Sequence, residues 1–232
     1  MHDDRHGKGY FDENDHRRGI ALNGMAGVFG LMFVGLFISA VTAMFTAGSQ
    51  AMQDLLFNMG PGIIVLAFAP FLMVIFVFPR VWKMQAGTAV LVFFIFAILI
   101  GITLSGIFYY YDLGTITLAF LSAAGMFGVM ALFGAITKAD LSGIRSFLMM
   151  GFFGFIIATV INIFLGSTMM DTIITYAGIA IFLGLTAYNV QRLKHAMATT
   201  PGHGVMVLGA LHLYLDFVNI FLLLLRLMGR RR

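Results

Sequence analysis

Long apolar runs alternate with short polar joints along almost the whole chain, and seven runs approach or exceed the roughly 20 residues that a helix needs to cross a bilayer. They are Asn23 to Ala47, Pro61 to Phe78, Ala86 to Phe108, Thr115 to Ile136, Phe147 to Leu165, Thr172 to Val190 and Val205 to Leu225. Hydrocarbon offers the backbone no hydrogen-bond partners, so each run is expected to satisfy its own amides as a helix. The pattern predicts an all-α integral membrane protein, a seven-transmembrane-helix bundle forming one domain over residues 20–232. Residues 1–19 depart from it, with Asp3, Asp4, Asp12, Glu13 and Asp15 against Arg5, Lys8, Arg17 and Arg18. That segment has too little apolar surface to pack and reads as a charged, disordered cytoplasmic tail.

The joints divide by sign. Gly48 to Gly60, Tyr109 to Gly114 and Gly166 to Asp171 hold no Lys or Arg and one aspartate each, Asp54, Asp112 and Asp171. The alternate joints carry Arg80 with Lys83, Lys138 with Arg145, and Arg192 with Lys194. Basic joints stay on the cytoplasmic side, so the N-terminus is expected inside. Seven crossings would put the C-terminus outside, against the same rule, because Arg226, Arg230, Arg231 and Arg232 end the chain. A last helix that bends back would remove the conflict. No Pro interrupts Val205 to Leu225, however, and a full last span is the expectation.

Composition closes off the soluble alternatives. The 232 residues are 60% hydrophobic and 10% charged, where a soluble domain has about 25% charged residues. The formal charge of +4 lies at span ends, which argues for orientation and against a nucleic-acid partner. There is no Cys, which excludes disulfides, thiol catalysis and cysteine metal sites. The first run is too long, and its flank too acidic, for a cleaved signal peptide. Pro70, in mid-run, is expected to kink the second helix. Small residues four apart, at Gly101/Ser105, Ala124/Gly128, Gly154/Ala158 and Ala180/Gly184, are expected at helix contacts. No internal repeat suggests a transporter of two matching halves.

Asp216 is the only acidic residue inside any of the runs. A carboxylate at bilayer depth costs about 2.5–3.5 kcal/mol on insertion scales, so such a group normally faces a bundle interior or a wet cavity and acts there. His212, Asp216 and Asn219 are spaced to share one stripe of a helix. Lipid penalises that stripe, which predicts a central position for the last helix, with the stripe on a cavity. The bland alternative is a satisfied polar core. Asn189, late in the sixth run, is the other deep polar group and is expected opposite Asp216.

Enzyme readings lack their parts, and no cofactor is implied. There is no HExxH and no second deep acid for a metal-dependent or two-carboxylate hydrolase. Ser105 with His212 would make an intramembrane dyad, but Thr103-Leu-Ser-Gly106 lacks the glycine two residues before serine found in rhomboid-type proteases. Lys8, Lys83, Lys138 and Lys194 all lie in the tail or joints, so none is placed for a retinal Schiff base. His2, His6 and His16 read as solvated tail residues and not as a metal site. A tight calcium site needs six to eight oxygens, which one deep carboxylate does not supply. Transient passage of the ion is compatible with that inventory.

The segment Gly209-Ala-Leu-His-Leu-Tyr-Leu-Asp-Phe-Val-Asn-Ile-Phe-Leu-Leu-Leu-Leu-Arg226 resembles the signature helix of the Bax inhibitor family, and Gly184 to Lys194 resembles its sixth helix. Ala124-Gly-Met-Phe-Gly128 and Thr137-Lys-Ala-Asp-Leu-Ser-Gly143 add to the match, which covers nearly all of the chain after the tail and looks most like the bacterial branch. The resemblance implies seven helices with the last one central, in a bacterial inner (plasma) membrane. It also implies a pH-sensitive calcium leak gated by a pair of aspartates on the sixth and last helices. Asp216 matches the second aspartate. The first falls on Asn189, in Tyr188-Asn-Val-Gln191 where the family usually reads Tyr-Asp-Thr-Gln. Two close carboxylates titrate as a coupled pair, whereas Asp-Asn has a single titratable site. The expectation is therefore that Asp216 accepts a hydrogen bond from Asn189, while His212 contributes to any pH response. Partners implied by the resemblance are membrane lipid, a transient calcium ion and, as an alternative function, a membrane-anchored ATP-dependent protease that the protein restrains through its tail or a joint.

Overall fold

The computed structural model describes residues 5–58, 60, 62–200 and 202–229, with side chains from residue 23 onward except 56–58, 62–65 and 67. Every regular element among these residues is helical. The elements are α1 (Arg5–Gly48), α2 (Gln50–Asn58), α3 (Gly62–Leu72), α4 (Ala86–Leu104), α5 (Ile107–Tyr110), α6 (Leu113–Ile136), α7 (Arg145–Leu165), α8 (Thr168–Thr199) and α9 (His203–Met228). Helix α1 begins at Arg5, so its backbone also takes in most of the charged segment 1–19.

Six helices are long and apolar enough to cross a membrane: Asn23–Gly48, Ala86–Tyr110, Leu113–Ile136, Leu141–Leu165, Thr168–Thr199 and His203–Met228. Their ends fall close to six of the seven expected runs. The second run takes another form: α3 passes into a π-helix at Met73–Val77 and then a 3-10 turn at Phe78–Lys83. Pro70 lies in the last turn of α3. Its missing N–H leaves the Leu66 carbonyl without its α-helical donor, and the change of helical register begins three residues later.

Burial sorts the six. The apolar window of α9 is 72% buried, that of α8 is 56%, and that of the Leu141–Leu165 span is only 11%. Helix α9 packs against α8, α6, α1, α4 and the 3-10 turn before α4. Outward-facing Phe147, Phe153 and Phe164 on α7 are exposed, as apolar side chains facing lipid tails would be.

Two close approaches depend on glycine. A Cβ on Gly101 of α4 would stand 2.6 Å from the Ser39 carbonyl oxygen of α1, and one on Gly134 of α6 would collide with the Ala187 backbone of α8. Gly184 packs on Leu148, whereas Gly128 and Gly154 have open space beside them, so only some of the small-residue pairs mark contacts. Polar bonds then tie helices together. Ser39 Oγ donates to the Ala97 carbonyl at 2.7 Å and lies 2.6 Å from Tyr214 Oη, an arrangement satisfied when the phenol donates to the serine. At the other end of α9, Arg226 forms an ion pair with Asp171 in the first turn of α8. Helix α9 is unbroken at Gly209, and its 26 residues extend about 39 Å. The partnered Arg226 is one of the basic residues that stood against a full last span.

Candidate functional site

Rings on two sides set the rotation of α9 around Asp216. Tyr214 stacks edge-on with Phe93 and Phe96 of α4 at 5.7 and 5.8 Å, while Phe217 does the same with Phe120 and Phe127 of α6 at 5.3 and 5.6 Å. With those neighbours fixed toward α4 and α6, the carboxylate turns to α8. It is 5% exposed. Asn189 Nδ2 of α8 donates to Asp216 Oδ2 at 2.7 Å.

Asn189 has a second neighbour. It borders a vestibule of about 360 Å³ at the end of the bundle formed by the last turns of α8 and the first of α9, together with Trp82, Arg192, Leu208 and His212. A water needs only some 10–15 Å³ of such space, so the vestibule has room for several. Asn189 therefore stands between open space and Asp216, touching both.

The helical spacing of His212, Asp216 and Asn219 does not carry all three side chains to one place. His212 is exposed at the vestibule, one turn from Asp216. Asn219 Nδ2 donates to the Leu215 carbonyl of its own helix at 2.8 Å. Among the described residues, no three His, Asp or Glu side chains gather where a metal ion would sit. The side chains of His2, His6 and His16 lie outside the described ones.

Three polar contacts escaped sequence reasoning. Buried Gln191 accepts from Leu141 N–H at 2.9 Å and donates to the Ala139 carbonyl at 2.7 Å, clamping the joint between α6 and α7 onto α8. The others are Ser39 with Tyr214 and Asp171 with Arg226. A polar residue left inside an apolar run was the available signal for Ser39. Gln191, two places after Asn189, carried a similar one.

A bundle of membrane-length helices whose most buried member carries one acid, held by an amide from the helix before it, defines a polytopic membrane protein with an intramembrane polar site. Residues 22–232 match the family model described as Inhibitor of apoptosis-promoting Bax1, and the chain belongs to this Bax inhibitor family. It is 41% identical over 214 residues to the Inner membrane protein YbhL of Escherichia coli K12, covering 90% of this chain and 92% of the relative. It is 38% identical over 213 residues to a protein of Borreliella burgdorferi, with 90% and 92% covered. Identity to RP147 of Rickettsia prowazekii is 34% over 212 residues, with 90% and 89% covered.

Proposed function

We propose that this chain is a pH-sensitive calcium leak channel of the bacterial inner membrane, with seven crossings, the last helix central, the N-terminus cytoplasmic and Asp216 on the ion path. The observation that carries the reading is the position of Asn189, which borders the vestibule and donates to the buried Asp216 carboxylate. The inner-membrane name of the E. coli relative supports the location. The basic joints support the orientation, and the continuous helical stretch from Gly62 to Lys83 supports a seventh crossing.

A calcium ion entering the vestibule meets one carboxylate, far short of six to eight oxygens, so it binds weakly and leaves quickly. On this reading the Asn189–Asp216 contact is the closed gate between α8 and α9. Protonating Asp216 turns a charge-assisted hydrogen bond into a neutral one of about half the strength. The contact loosens, and flux rises as the pH falls. His212 and Arg192 face the same vestibule.

The test is calcium entry into vesicles that contain the full chain and a trapped indicator. Wild-type protein should leak calcium, faster on the acid side, and Asp216→Ala should abolish the response to pH. A wild-type rate equal to that of empty vesicles would refute the channel reading. An unchanged pH profile in both Asp216→Asn and His212→Ala would refute the assigned residues.

A further inference from the structure

A second recess, of about 590 Å³, opens between the end of α6, the joint 137–140 and the last third of α8. It shares no lining residue with the vestibule. Its walls are fixed by contacts already described: Gln191 holds the joint from both sides, and Gly134 lets α6 lie directly on α8.

The charge in the recess is positive and largely unspent. Lys138, Lys194 and His195 line it, with Asp140 the one acid among its lining residues. Lys194 Nζ donates to the Ala135 carbonyl at 2.7 Å, which fixes the ammonium and leaves two of its three N–H groups. Among the described residues, Lys138 has no hydrogen-bond or ion-pair partner. The Asp140 carboxylate is turned to its own joint, where Oδ1 accepts from Ser142 N–H at 2.9 Å and Oδ2 from Ser142 Oγ at 2.7 Å.

What lies beside the recess identifies the anion. Phe133 and Ile136, in the last turn of α6 on either side of lining Gly134, are 46% and 67% exposed on a membrane-length segment. A fixed basic recess thus adjoins apolar side chains that face lipid tails. An anionic amphiphile satisfies both surfaces, whereas free phosphate satisfies only the first. Basic pockets between helices at the membrane surface bind anionic lipid heads in this way.

We infer that this recess binds the phosphate of an anionic phospholipid, with Lys138 and Lys194 as its donors. The test uses the full chain in non-ionic detergent and native mass spectrometry, with phosphatidylglycerol and phosphatidylcholine of identical acyl chains. Wild-type protein should retain phosphatidylglycerol preferentially. Retention should fall about fivefold for each lysine removed, in Lys138→Ala and in Lys138→Ala with Lys194→Ala, and Lys138→Arg should restore it. Lys138 has no partner among the described residues, so the single variant tests the site without disturbing the bundle. Equal retention of the two lipids by the wild type would overturn the inference, as would an undiminished preference in the double variant. Displacement of the lipid by inorganic phosphate at equal concentration would overturn it too, since that outcome marks a free-anion site.

Discussion

Removing the Asn189 amide isolates the contact on which the site depends. In Asn189→Ala the Asp216 carboxylate, 5% exposed, loses the amide that donates to it at 2.7 Å. Leaving a buried polar group without its hydrogen-bond partner costs about 1–3 kcal/mol, and the outcome within that range depends on whether water replaces the amide. Asn189 borders the vestibule, so alanine opens a route for one water and the loss should be near the lower limit, about 1 kcal/mol. Asn189→Leu fills the space with hydrocarbon and should lose about 3 kcal/mol. The assay is unfolding in mixed micelles followed by fluorescence of Trp82, the one tryptophan of the chain, which lies at the vestibule. In an Asp216→Leu background the second substitution should cost little, because no buried carboxyl remains to be left unpaired. If Asn189→Leu is as stable as the wild type, or costs the same with and without Asp216, the amide does not hold the carboxylate and the reasoning fails.

Gly134→Val should destabilise the bundle by about 1–3 kcal/mol, since the Ala187 backbone cannot move aside, whereas Gly128→Val, with open space, should change unfolding by less than about 0.5 kcal/mol. Asp171→Asn removes the partner of Arg226; both side chains are about one-third exposed (32% and 35%), so the screened loss should be about 0.5 kcal/mol and should shrink with added salt. The Ser142 backbone N–H, and then its hydroxyl, hold the exposed Asp140 carboxyl below its ordinary value of 3.8. A depressed carboxyl contributes its stabilisation above that ordinary value and loses it as the pH falls through the lower folded value. Amide exchange at Ser142 should therefore stay slow at neutral pH and lose protection only below about 3.8, and Asp140→Ala should remove the protection at every pH.

Hydrophobic run length made six helices legible, because lipid requires every backbone amide in a span to bond internally, but it ended the sixth run at Val190 where α8 continues to Thr199, and began the fifth at Phe147 where the span starts at Leu141. The same signal is blind to helical register, so the passage from α3 into a π-helix and a 3-10 turn was not legible beyond the kink expected at Pro70. Asp216 stood out by cost alone. The depth of Asn189 in its run and the family resemblance anticipated that it faces Asp216, but the rotation that brings them together is set by Tyr214 and Phe217 against rings of α4 and α6, contacts between residues about a hundred positions apart that were not legible. Helical spacing placed His212 and Asn219 on the stripe of Asp216 but does not determine rotamers. One side chain opens to the vestibule and the other turns back to its own backbone. Gln191 and the Asp171–Arg226 pair act at the ends of the bundle, where short joints bring together residues that no periodicity relates.

The steepness of calcium flux against pH in reconstituted vesicles tests the central claim most directly, because the proposed gate holds one acid where the family pattern has two. Wild-type flux should follow a one-proton transition, Asp216→Asn should be flat, and Asn189→Asp, which adds a second carboxylate at hydrogen-bond distance, should show two coupled steps. A wild-type profile that survives Asp216→Asn unchanged would contradict the account.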